Sequence, residues 1–86
     1  MSEFQIQTAK QLASHLRSLR KSQALTQAQL GARLGIEQAR MAKIERNPGS
    51  VSVEQLLEVL NALGAVVAIQ RKDTKAAGKT NARVNW

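Results

Sequence analysis

The chain has 86 residues, no cysteine, and a formal net charge of +7 from 13 Lys and Arg against 6 Asp and Glu. That length holds one domain, and a compact unit of about 60–70 residues buries only around 60% of the surface its unfolded chain exposes, so it is marginal alone. With no cysteine, a disulfide framework and a thiolate zinc site are both excluded, and dimerisation is the remaining source of stability.

Three helix starts carry the same chemistry: Thr8 with Gln11, Thr26 with Gln29, and Ser52 with Gln55. Each reads as a capping box, in which the hydroxyl accepts from an orphan amide and the side chain three residues on reaches back to the cap. The first helix is predicted over about 9–22, with Leu12, Leu16 and Leu19 as its buried stripe. His15 flanks that stripe, and a lone histidine without cysteine gives no metal site. The second helix is predicted over about 27–34, burying Leu30 and Leu34.

Gly35 can adopt the positive φ that stops the second helix sharply, so Ile36 turns inward and a third helix starts near Glu37 or Gln38. Met41 and Ile44 form its inner face, and Arg46-Asn47-Pro48-Gly49 ends it, because the residue before proline disfavours helical geometry. The fourth helix, over about 53–63, shows Val53, Leu56, Leu57, Leu60 and Leu63 as a wide apolar face and stops at Gly64. Helix, tight glycine turn, helix is the unit that presents its second member to a DNA major groove.

Residues 65–70, Ala-Val-Val-Ala-Ile-Gln, are β-branched and read as a strand. An otherwise helical chain offers it no partner, so antiparallel pairing across a dimer axis through Val66, Val67, Ala68 and Ile69 is expected. A short helix, or an arm lying on its own domain, is the alternative. The chain thus divides into an N-terminal arm over 1–7, a helix-turn-helix domain over 8–70 that includes the strand, and a flexible tail over 71–86. The tail holds five bases and one acid. A polyanionic partner is suspected from this excess, since bound phosphates release condensed counterions. The longest apolar run is too short to span a bilayer, and the N-terminus lacks signal-peptide features, so a cytoplasmic, nucleoid-associated protein is expected.

From Gln27 onward the spacing is specific: Leu30, small Gly31, Leu34, Gly35, Ile36, Met41 and Ile44. Over 8–63 it resembles the lambda-repressor-like (Xre/Cro) helix-turn-helix superfamily, with the Thr26-Gln27 start, the Leu34-Gly35-Ile36 turn and the Ile44-Glu45 end in place. The fold class that follows is all-α, a four- to five-helix domain followed by the C-terminal strand and tail. Gly31 stands where alanine is usual; it preserves close packing and costs up to about 1 kcal/mol of helix propensity.

The third helix projects Glu37, Gln38, Ala39, Arg40 and Lys43 away from Met41 and Ile44. Gln38 suits adenine, Arg40 guanine, and Ala39 a thymine methyl group. Glu37 suits a cytosine amine or serves only as a helix-dipole partner, and Arg40 has the alternative of a solvated surface position. Gln27 is expected on a phosphate, and Lys43 or Arg46 on others. Glu45 reads as a structural residue paired with an arginine such as Arg17 or Arg33. One histidine and no credible carboxylate pair give no catalytic constellation, and no cofactor is expected. Trp86, at the end of a polar tail, has no core of its own to enter; it is an interface anchor or touches nothing.

The full layout, ending in Asn85-Trp86, is similar to the HipB-type antitoxins. That resemblance implies a homodimer that represses its own operon at palindromic operators. It further implies a HipA-type serine/threonine kinase toxin as partner, held inactive on DNA-bound complexes, with Trp86 docking on the toxin and proteases entering at the tail. The strongly basic tail departs from the family pattern and is open to DNA or to an acidic partner surface. The competing reading is a free-standing repressor with no toxin.

Overall fold

The computed structural model describes residues 4–72. Four helices follow in chain order, α1 Ala9–Ser22, α2 Gln27–Leu34, α3 Gln38–Arg46 and α4 Val53–Ala62, with a 3-10 turn over Pro48–Ser50 between the last two. Residues 65–72 carry no regular secondary structure, and no strand occurs among the described residues. The pairing expected of residues 65–70 is between chains; in a single chain Ala65 packs against the core and residues 66–70 are exposed. Residues 73–86, with Trp86 and most of the basic tail, lie outside the described residues.

Two of the three capping boxes close. At α1 the Gln11 N–H donates to Thr8 Oγ1 at 3.1 Å and the Thr8 N–H donates back to Gln11 Oε1 at 3.2 Å. At α2 the same exchange joins Gln29 and Thr26 at 3.0 and 2.8 Å. The third is corrected to a one-sided cap. The Gln55 N–H donates to Ser52 Oγ at 3.0 Å, but the Gln55 amide is taken by Arg40 and Glu58 and does not return.

The far ends of α1, α2 and α4 share one closure, an N–H donated to the carbonyl five residues back. Leu25 donates to Arg20 at 3.2 Å, Ile36 to Gly31 at 2.9 Å and Ala65 to Leu60 at 2.8 Å. This closure requires a left-handed residue just before the donor. Gly35 and Gly64 supply it at φ 73° and 74°, and Ala24 supplies it at φ 57°, a glycine role filled without a glycine.

The core is Leu16, Leu30, Met41, Ile44, Val59, Leu60 and Leu63, with Leu12, Leu19, Leu34 and Leu56 partly buried against it. The inner face of α4 therefore differs from the predicted one. Val59 is fully buried, whereas Val53 is 70% and Leu57 42% exposed. Leu56, Val59, Leu60 and Leu63 obey the helical spacing i, i+3, i+4, i+7. One residue turns a helix by about 100°, which carries Leu57 off the face that Leu56 shares.

Arg20 of α1 and Glu45 of α3 form a buried pair, Nε to Oε2 at 2.5 Å and Nη2 to Oε1 at 3.2 Å. The expected partners of Glu45, Arg17 and Arg33, are corrected accordingly. Arg20 lies four residues after Leu16, so it continues the buried stripe of α1 and arrives against α3; Arg17 is on the exposed side. Arg33 instead donates to the Ala62 carbonyl at 3.4 Å, beside Gln23, which donates to the Leu63 carbonyl at 2.6 Å. Both side chains thereby satisfy carbonyls at the C-terminus of α4.

Candidate nucleic-acid interface

Two short helices joined by a three-residue corner make the site. Gly35 at φ 73° turns the chain, and the Ile36 N–H closes on the Gly31 carbonyl at 2.9 Å. A Cβ on Gly31 would stand 2.8 Å from the Ile36 carbonyl oxygen. Its absence thus does more than preserve packing: it admits the backbone of the turn to a distance that an alanine methyl would occupy.

The inner face of α3 is fully committed. Met41 and Ile44 enter the core, and Glu45 is held by Arg20. Gln27, at the start of α2, donates from Nε2 to Glu45 Oε1 at 3.2 Å. Arg20 also donates from Nη1 to the Leu25 carbonyl at 2.8 Å. One carboxylate therefore ties α1, α2 and α3 together and sets the angle at which α3 projects.

The outer face makes one bond within the domain, from Arg40 Nη2 to Gln55 Oε1 at 3.4 Å, and is otherwise turned outward. Glu37, Gln38, Ala39 and Arg40 are consecutive and exposed, and Lys43 and Arg46 follow, exposed, in the last turn. Glu37 is the N-cap residue, yet its side chain makes no capping bond. Gln27 is half-buried, with one amide hydrogen engaged by Glu45, so its second hydrogen and the backbone amides of Gln27 and Ala28, ahead of the capped Gln29 amide, remain for an anion. The structure thus brings six of the seven expected contact residues onto one exposed helix and its N-cap, and sets the seventh, Gln27, deeper.

Sequence reasoning missed Arg20 and Gln55. Arg20 had a signal, since extending the Leu12–Leu16 spacing by one turn reaches it. Gln55 had none, because it was already assigned to a cap. Of the dimerisation residues, Val66 is 86% and Ile69 99% exposed, and Val67 and Ala68 are exposed as well. They border an open groove floored by Leu12, Leu16 and Leu19 of α1 and Leu56 and Leu60 of α4. Across it, the Phe4 ring lies on His15 with centroids 4.4 Å apart. Among the described residues no cluster of three metal-ligating side chains occurs, and no helix is long and apolar enough to cross a membrane.

A left-handed glycine corner between two short helices, locked to a third and fourth and carrying an exposed basic face, defines a helix-turn-helix domain of the lambda-repressor-like kind. A helix-turn-helix domain family matches residues 2–72. The chain is 32% identical over 63 residues to Antitoxin HipB of Escherichia coli O6:H1, covering 73% of this chain and 67% of that protein. It is also similar to a solved HipB-O1-O2 complex, at 25% identity and TM-score 0.73, covering 79% of this chain and 99% of that one. A solved HipA-HipB-O2-O3 complex matches at 27% identity and TM-score 0.73, covering 85% and 100%. The chain belongs to the HipB-type antitoxins of the helix-turn-helix superfamily.

Proposed function

We propose that this antitoxin is a homodimer that binds a palindromic DNA operator, represses its own operon, and binds and neutralises a HipA-type serine/threonine kinase toxin. The observation that carries the reading is the division of α3 into a locked inner face and an outer face of Gln38, Ala39 and Arg40 with Lys43 and Arg46 behind them. Arg40 and Gln38 have the donor and acceptor patterns that read guanine and adenine edges, and Lys43, Arg46 and Gln27 would hold phosphates. Glu37, at the N-terminal tip of α3, would meet a cytosine amine. The similarity to HipB in complexes with O1 and O2, and with HipA, O2 and O3, supports both partners.

Dimerisation would proceed through residues 65–70, whose β-branched side chains have no cover in one chain and stand beside the apolar groove. Antiparallel pairing of two such strands would satisfy their backbone groups and bury Val66, Val67 and Ile69. Trp86 is the proposed anchor on the kinase. In this arrangement the protein is cytoplasmic and nucleoid-associated.

The test is footprinting of the full chain on its own promoter, with a kinase assay of the HipA-type protein from the same genome. Protection of a two-fold symmetric site together with loss of kinase activity on mixing is expected. Protection with no effect on, or capture of, the kinase would identify a free-standing repressor instead. Absence of protection at every promoter would overturn the DNA reading.

A further inference from the structure

Three helices begin with the same pair, a hydroxyl and a glutamine three residues on, yet only two of these glutamines return to their cap. The third is diverted. Gln55 Oε1 accepts from Arg40 Nη2 at 3.4 Å, while Gln55 Nε2 donates to Glu58 Oε1 at 3.3 Å. This orientation of the amide is the only one that suits both neighbours. Its oxygen faces a guanidinium, which has no acceptor, and its NH2 faces a carboxylate, which when ionised has no donor. A flipped amide would set donor against donor and acceptor against acceptor.

Resting on the reading of α3 as the DNA-reading helix, we propose that Gln55, held by Glu58, is a positioning residue that sets the specificity of Arg40. Arginine has five N–H donors in a rigid fork. Gln55 engages a single one of these on the α4 side, which leaves others for the paired O6 and N7 acceptors of a guanine. A guanidinium anchored in this way loses less rotamer freedom when it meets the base, and it is aimed at one position of the site. The choice of base at that position is therefore governed from α4, by a residue that itself touches no base.

The experiment is selection of binding sites from randomised duplexes with the full-length protein, followed by affinity measurements on single-base variants of the selected site. Arg40→Ala identifies the base pair that Arg40 reads. Gln55→Ala is expected to lower discrimination at that same base pair by about fivefold, the worth of one hydrogen bond, and to leave the other positions unchanged. Its melting temperature should stay near that of the parent, because the bond to Ser52 comes from the Gln55 backbone. The exchange Gln55→Glu, Glu58→Gln, which keeps an acceptor for Arg40, a donor and acceptor between the two side chains and the net charge, should retain the discrimination. The double variant Arg40→Ala, Gln55→Ala should discriminate no worse than Arg40→Ala alone. Unchanged discrimination in Gln55→Ala, or sharper discrimination from release of Arg40, would overturn the inference and leave the proposed function standing. Selection of no sequence by the parent protein would overturn the proposed function itself, and this inference with it.

Discussion

Glu45 of α3 receives two donors from Arg20 of α1, and its carboxylate also accepts from Gln27 of α2. Neither Arg20 nor Glu45 faces a partner outside the domain; together they fix α3 against the helices behind it. Removing one member of a buried ion pair leaves the other uncompensated and typically costs about 3–5 kcal/mol. Glu45→Ala should therefore lower stability by about that amount in urea unfolding. The double change Arg20→Met, Glu45→Leu should lose much less, since apolar replacement of a whole buried pair is often neutral. A single variant as stable as the parent would show that the pair contributes little.

Ala24 holds a left-handed conformation at φ 57°, where the two comparable helix ends use Gly35 and Gly64. An L-residue with a Cβ is strained there by roughly 1–2 kcal/mol, part of which glycine returns through its freer unfolded state. Ala24→Gly is expected to raise stability by about 0.5–1 kcal/mol, visible as a melting temperature a few degrees higher. Gly35→Ala should move it the other way. An unchanged or lower melting temperature for Ala24→Gly would contradict the assigned geometry.

At Gly31 two effects oppose one another. Alanine would improve helix propensity by up to about 1 kcal/mol, but its Cβ would stand 2.8 Å from the Ile36 carbonyl oxygen, which belongs to backbone and cannot rotate away. The clash should win, with a net loss of about 1 kcal/mol, as for other insertions into packed sites. Thermal melts of Gly31→Ala decide the sign, and a stabilised variant would mean that the turn relaxes freely.

Contacts to bases and to phosphates separate by their response to sequence and to salt. Arg40→Ala is expected to cost about 1–3 kcal/mol on the preferred site and to relax selection at one base pair. Lys43→Ala should weaken all duplexes alike and flatten the salt dependence by about one counterion. Binding isotherms at several salt concentrations, on preferred and scrambled sites, check both. Equal behaviour of the two variants would displace α3 from the groove.

Pairing through residues 65–70 is sensitive to backbone as well as side chain. Val67→Pro removes an amide from the proposed ladder and should yield a monomer in sedimentation equilibrium, with the helical content of the domain retained. Paired recognition helices reach half-sites roughly 34 Å apart, so the same variant should bind a single half-site as well as a palindrome. A Val67→Pro protein that remains dimeric would place the interface elsewhere.

Local chemistry along the chain was enough to determine the four helices, their hydroxyl caps at Thr8, Thr26 and Ser52, the glycine corner at Gly35, and the outward set Gln38, Ala39 and Arg40. Each of these depends on residues within one or two turns of one another, where spacing and rotamer preference dominate. Tertiary structure alone decided that Glu45 meets Arg20, that Val59 replaces Leu57 in the core, and that Gln55 leaves its own helix start for Arg40. In each case the competing partners lie many residues apart or differ by a single step of helix rotation. Their choice follows from how the helices cross in space, which no local pattern encodes.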